Sequence, residues 1–158
     1  MGNVFSGIEI VEIGVQIERN GMDFYNEVAA SSRSPKAKKI FLFLAGEEHR
    51  HISIFQMIMN SVENYEPSGA YPEEYFAYMN TLASGHVFTE KDRGSEIAKT
   101  AKSDIEAVDL GIGFEKDSIE FYEGMKKVVP EHDHGLVEEL IRQERDHLGK
   151  LTEIKKEL

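Results

Sequence analysis

Residues 12–27 read EIGVQIERNGMDFYNE, and residues 109–124 read DLGIGFEKDSIEFYEG. Laid over one another at an offset of 97, they pair Gly14 with Gly111, Glu18 with Glu115 and Phe24-Tyr25 with Phe121-Tyr122. A second match follows each copy. Residues 47–51, EEHRH, align with 143–147, QERDH, at an offset of 96, so Glu48 falls on Glu144 and His51 on His147. Only two copies occur, and solenoids need three or more, so the repeat describes a duplicated hairpin.

Apolar residues recur at spacings of three and four in four long segments, and strand-like alternation is absent, which predicts helices throughout. The first stripe is Val4, Ile8, Val11, Val15, Glu18, Met22, Tyr25, Ala29, and the second is Ala37, Phe41, Leu44, Glu48, His51, Phe55, Ile58, Val62. The third is Ala101, Ile105, Val108, Ile112, Glu115, Ile119, Tyr122, and the fourth is Val137, Leu140, Glu144, His147, Leu151, Ile154, Leu158. Each is apolar at its ends and polar in its middle. Ser32-Arg33-Ser34-Pro35 reads as a turn with proline opening the next helix, and Val129-Pro130 with the polar stretch to His134 reads as another. Between the hairpins lies an irregular stretch, opened by Glu66-Pro67-Ser68-Gly69 and Ala70-Tyr71-Pro72, with a short helix expected after Pro72. The expected organisation is a single domain over 1–158: hairpin one at about 4–63, a crossover at about 64–94, and hairpin two at about 95–158. The fold class is an all-α four-helix bundle. Its crossover is long enough to carry the chain from one end of the bundle to the other.

Turn geometry brings the polar seam residues together. Glu18 and Glu48 stand at equal distance from residue 33, and Glu115 and Glu144 from the 129–130 turn. At about 1.5 Å rise per residue each lies roughly 20 Å from its turn, near mid-helix. His51 and His147 follow Glu48 and Glu144 by three residues, on the same helix face. Four carboxylates and two imidazoles inside one bundle would not ionise together uncompensated. Two divalent ions balance four carboxylates, and this mixture of oxygen and nitrogen ligands suits first-row transition metals.

A lone Glu on each of two helices and a Glu-x-x-His on each of the others is the ligand set of ferritin-like di-iron and di-manganese proteins. At Glu18, Glu48-x-x-His51, Glu115 and Glu144-x-x-His147 the chain resembles the rubrerythrin branch of that superfamily, over nearly all its length. The resemblance implies a ferritin-like bundle with one crossover. It also implies a non-haem di-iron centre, with manganese as the other candidate metal, that reacts with peroxide or dioxygen when reduced. Glu18 and Glu115 would be ligands from helices one and three, Glu48 and Glu144 would bridge or cap the ions, and His51 and His147 would bind one ion each. Two departures stand out. Full-length rubrerythrins carry a cysteine-ligated rubredoxin iron, whereas this chain has no cysteine, which calls for a separate donor such as a rubredoxin-type carrier. Many relatives also place a further glutamate, linked to ligand exchange, one turn after the third-helix ligand; that position here is Ser118.

Around the ligands, Tyr25 and Tyr122 read either as core aromatics or as hydrogen-bond donors to a ligand carboxylate. Glu47 and Gln143 read either as solvated flank or as groups that orient a histidine on a neighbouring helix. Gly14, Gly111 and Gly113, costly in a helix interior by about 1 kcal/mol, read as making room for the centre, for oxidant entry or for close helix packing. His49, His86, His132 and His134 lie off the seam and are expected at the surface. EEHRH lacks the first histidine of HExxH, which excludes the zinc-protease reading.

Composition narrows the function from outside. With 29 acidic against 18 basic residues the formal charge is −11, and no basic run exceeds a pair such as Lys38-Lys39, which argues against nucleic acid and anionic lipid. The longest apolar run, Ile40 to Ala45, is far short of the roughly 20 residues of a membrane span, and the N-terminus does not read as a signal peptide. The expected protein is a cytoplasmic di-iron oxidoreductase using peroxide or dioxygen, likewise expected as a homodimer, and the middle tyrosines Tyr71, Tyr75 and Tyr78 with Phe76 read either as a cover over one side of the bundle or as a dimer contact. The alternatives are a ferritin-like ferroxidase and a non-enzymatic helical interaction protein.

Overall fold

The computed structural model describes residues 7–63, 73–85 and 90–158. Four long helices carry the bundle: α1 (Gly7–Ser31), α2 (Pro35–Glu63), α5 (Asp104–Met125) and α6 (His134–Glu157). Two shorter ones, α3 (Glu73–Gly85) and α4 (Arg93–Ala98), lie between α2 and α5. Among the described residues the connection thus holds two helices where one was expected, and the long helix α5 of the second hairpin starts at Asp104. Val4, Tyr71, His86 and the Glu66–Gly69 turn lie outside the described residues.

Each boundary has a local cause. Ser34 caps α2, its Oγ accepting from Ala37 N at 3.2 Å, with Pro35 at the first helical position. Ser103 caps α5 by accepting from Glu106 N at 3.2 Å. Asp104 Oδ2 accepts from Arg33 N at 3.2 Å and Ser34 N at 2.8 Å, which ties the start of α5 to the α1–α2 turn.

The helices pair as hairpins, α1 with α2 and α5 with α6, and the hairpins meet through α1 on α5 and α2 on α6. Tyr25, two turns beyond Glu18, reaches Glu115, while Tyr122, two turns beyond Glu115, reaches Glu18. That crossing requires α1 and α5 to run antiparallel, so α5 runs parallel to α2 and the chain must return along the bundle between them. It does so in stages. Tyr75 of α3 donates to Gly124 O near the end of α5 at 2.6 Å, α4 lies against the middle of α1 at Asn20, and α5 then begins beside the α1–α2 turn.

The expected stripes on α2 and α6 are buried from Ala37 to Val62 and from Val137 to Ile154. On α1 and α5 the buried face differs from expectation. Ile10, Ile17 and Phe24 are buried beside Val11, Glu18 and Tyr25, whereas Ile8, Val15 and Met22 are only half-buried. On α5 the same shift buries Ala107, Phe114 and Phe121, while Ile112 and Ile119 are half-buried and Ile105 is 44% exposed. Each of these helices packs against three others, α1 on α2, α4 and α5, and α5 on α6, α1 and α3. A wider arc is therefore buried, centred one residue away from a single stripe.

The crossover is clamped at Gly94. Asn20 Oδ1 accepts from Gly94 N at 3.1 Å and Asn20 Nδ2 donates to Glu90 O at 2.6 Å. A Cβ at residue 94 would stand 2.0 Å from the Asn20 carbonyl oxygen, a backbone atom that cannot swing aside. Gly94→Ala is expected to cost about 3 kcal/mol in denaturant unfolding, the upper end of overpacking penalties. Gly46→Ala, on exposed α2 with no atom within 4 Å of its added Cβ, is expected to gain about 1 kcal/mol.

Candidate metal centre

All six expected ligands meet at mid-bundle. Glu18, Glu48, His51, Glu115, Glu144 and His147 are each 0–1% exposed. Their donor atoms form two groups, each within 4.8 Å: Glu18, Glu48, His51 and Glu144 in one, Glu48, Glu115, Glu144 and His147 in the other. Glu48 and Glu144 belong to both. The arrangement is two four-donor positions joined by two shared carboxylates, each completed by one further carboxylate and one imidazole.

The imidazoles turn Nδ1 inward. His51 Nδ1 lies 2.8 Å from Glu144 Oε1 and 3.4 Å from Glu18 Oε2, and His147 Nδ1 lies 3.4 Å from Glu48 Oε1 and 3.6 Å from Glu115 Oε1. The rings stack at 5.6 Å between centroids. Behind them stand the residues that precede each Glu-x-x-His. Gln143 Oε1 accepts from His51 Nε2 at 2.6 Å, whereas Glu47 Oε1 lies 4.0 Å from His147 Nε2.

Both tyrosines take the donor role. Tyr25 Oη donates to Glu115 Oε1 at 2.7 Å, and Tyr122 Oη donates to Glu18 Oε1 at 2.6 Å, which leaves the other oxygen of each carboxylate free. Gly111 makes room for this: its added Cβ would lie 3.3 Å from Tyr25 Oη, while one at Gly14 would strike Phe55 at 2.5 Å. Gly113 has no atom within 4 Å of its added Cβ and plays no such part. His49 and His132 are exposed as expected, and half-buried His134 bonds Val129 O at 2.8 Å.

Sequence reasoning missed three contributors. Glu139 accepts from Gln143 Nε2 at 2.9 Å, and its spacing four residues before Gln143 could have indicated this. Gly21 leaves space for Phe114 and for Glu48, 2.6 Å and 3.3 Å from where its Cβ would stand. Phe43 lies edge-on to His147, 6.4 Å between centroids, and is 45% exposed, with Lys150 Nζ 5.5 Å from its ring.

The electrostatics show what the cluster lacks. Apart from Asp133 Oδ2, every buried side-chain nitrogen or oxygen without a hydrogen-bond partner among the described residues belongs to these six ligands. Burial, then Glu144, Glu18 and Glu115, push Glu48 well above the usual carboxylate range; burial, then Glu115 and Glu18, do the same to Glu144. Burial also pushes Glu18 up most strongly, but the charge of His51 together with hydrogen bonds to Glu48, His51 and Tyr122 holds this carboxyl below its ordinary value. His51 is pushed up to about 12, since Glu18 and Glu144 outweigh the burial that opposes it. Without metal, then, burial and the neighbouring charges favour the protonated form of the shared carboxyls and the cationic form of His51. Two divalent ions would take the place of these protons, held by the orphaned oxygens and the Nδ1 atoms.

The Rubrerythrin family model matches residues 9–155. The chain belongs to the rubrerythrin family. No curated protein matches it. A solved structure that resembles this rubrerythrin-family chain is that of a Thermotoga maritima protein, provisionally described as a ferritin-like diiron-carboxylate protein. The two are 27% identical, with a TM-score of 0.72 and 99% of each chain covered. The ferritin-like bundle is thereby established. Among the described residues no helix is long and apolar enough to cross a membrane.

Proposed function

We propose that this rubrerythrin-family chain is a non-haem di-iron oxidoreductase that reduces hydrogen peroxide or dioxygen, with electrons from a separate carrier of the rubredoxin type. The observation that carries the reading is the pair of buried four-donor groups sharing Glu48 and Glu144. Iron is the metal proposed, with manganese compatible with the same donors. When bound, two ferrous ions supply the two electrons that reduction of a peroxide to water requires.

The chain's own residues do the rest. Glu18 and Glu115 each offer one oxygen while a tyrosine holds the other, so neither carboxylate can rotate freely. Burial and the nearby carboxylates push both tyrosine hydroxyls well above their usual range, so they remain protonated donors. Aromatic rings exclude bulk water: Phe24, Phe41 and Phe114 pack around Tyr25, and Phe55 and Phe121 around Tyr122. The absence of cysteine leaves the chain without a thiolate-held iron, which is why the donor is placed on another molecule. Half-exposed Phe43, beside His147, supports electron entry from that face. Cytoplasmic location and a homodimer complete the proposal, with Tyr78 of α3, 48% exposed, as apolar surface for the contact.

Metal analysis of the natively purified protein, with optical spectra on adding peroxide to its anaerobically reduced form, tests this. Two irons per chain and a new near-ultraviolet band are expected. Many irons per chain inside a closed shell would instead show a storage ferroxidase. Absence of transition metal, with stability unchanged by chelation, would show a helical interaction protein.

A further inference from the structure

We propose that the two metal positions are unequal, and that Gln143 makes the Glu18/His51 position the first to fill. The inference rests on the two-metal reading above. Glu48 and Glu144 serve both positions, so any difference must come from the unshared donors and what stands behind them.

The two imidazoles differ in their anchoring. Gln143 donates through Nε2 to Glu139 Oε1 at 2.9 Å, which fixes its amide so that the oxygen faces His51. Glu139 is itself held by Arg142 on the next turn. His51 Nε2 therefore keeps its proton, donated at 2.6 Å, so Nδ1 is the nitrogen that gives up its proton and turns its lone pair to the cluster when a metal binds. Its ring cannot turn without breaking that chain of bonds, and Glu144 and Glu18 oxygens already stand 2.8 and 3.4 Å from Nδ1.

At the equivalent place in the other half stands Glu47 in place of Gln143. Its carboxylate is 4.0 Å from His147 Nε2, beyond hydrogen-bond reach, and is paired with Arg50 at 2.5 Å. Among the described residues His147 Nε2 has no hydrogen-bond partner, and its Nδ1 meets carboxylate oxygens at 3.4, 3.6 and 3.9 Å. A metal at this position must either draw Glu47 away from Arg50 or bind an imidazole with no acceptor behind it. Losing such an acceptor typically lowers metal affinity about 10–100-fold. The first metal accordingly goes to the position already assembled, and Gln143 acts as a positioning residue through His51.

Anaerobic titration of the metal-free full chain with Co(II) tests this, following ligand-field absorption and the paramagnetically shifted ring N–H signals of coordinated histidine. Repulsion between two cations separates the steps in any such site, so the deciding observation is which histidine responds first. At one equivalent the shifted signal is expected to belong to His51, remaining in His147→Ala and missing in His51→Ala. Gln143→Leu is expected to weaken the first step about 10–100-fold. Equal signals from both histidines at one equivalent, or His147 responding first, would overturn the proposal while leaving the two-metal reading intact. No Co(II) binding at all would overturn both. A loss of fold in Gln143→Leu would show in its metal-free circular dichroism, and the order of filling in the unaltered chain would still decide.

Discussion

Replacing Glu48 and Glu144 together by alanine is expected to remove both bound metals. These two residues are the only donors common to both positions, so the double variant leaves each metal one carboxylate and one imidazole. Glu18→Ala, by contrast, takes one donor from one position and leaves the Glu48, Glu115, Glu144, His147 group complete. The expected metal content is therefore none for the double variant and at least one per chain for Glu18→Ala. Stability should move the other way in the metal-free state. Both oxygens of Glu48 are buried without hydrogen-bond partners among the described residues, and removing such a group relieves a desolvation cost of about 1–3 kcal/mol, before any cavity cost and before the loss of Glu144 as the partner of His51 at 2.8 Å. Elemental analysis and thermal melts with and without chelator measure both effects. Retention of two tightly held metals by the double variant would refute the ligand assignment.

The metal-free protein is expected to lose stability as pH rises from about 5 to about 9, and metal-induced stabilisation is expected to grow over the same interval. Glu48, Glu144 and His51 all have folded-state values raised above their ordinary ones, His51 to about 12. A raised group gives its full stabilisation below its unfolded value, near 4.5 for the glutamates and 6.5 for the histidine, and loses it as pH climbs through the folded value. Each extra proton held by the folded state costs about 1.4 kcal/mol per pH unit in that window. Glu18, held low by His51, contributes oppositely: its stabilisation is present above its unfolded value and is lost on acidification. The metal-free optimum should consequently fall near pH 5, toward the acid end of the usual range. Divalent ions displace the same protons, so binding tightens with pH. Melting temperatures of chelated and reloaded protein across this range check the prediction, and a metal-free protein that gained stability from pH 5 to pH 9 would contradict it.

The stripes on α2 and α6 were legible because each of these helices turns one face to the bundle axis, and the 3.6-residue period marks that face. On α1 and α5 the period was equally clear but the face was misplaced by one residue, since α3 and α4 cover a second side of these helices. Nothing within α1 announces that Asn20 will hold a glycine of a distant segment; only the close approach of α4 gives that residue its role. Tyr25 and Tyr122 stood open between two readings for a similar reason. Each bonds a carboxylate of the opposite hairpin, so the choice depends on how the hairpins meet.

The amino-acid sequence by itself determined the helical hairpins, their duplication, and the gathering of Glu18, Glu48, His51, Glu115, Glu144 and His147 at one height. Helical rise and period fix which residues share a face and level, whatever surrounds them. Tertiary structure decided between bridging and capping for Glu48 and Glu144, which belong to both donor groups, and it alone decided that His51 is anchored by Gln143 while Glu47 stands off from His147. Those distinctions rest on distances of 2.6 against 4.0 Å between side chains of different helices, set by how the two hairpins pack and not by spacing along either one.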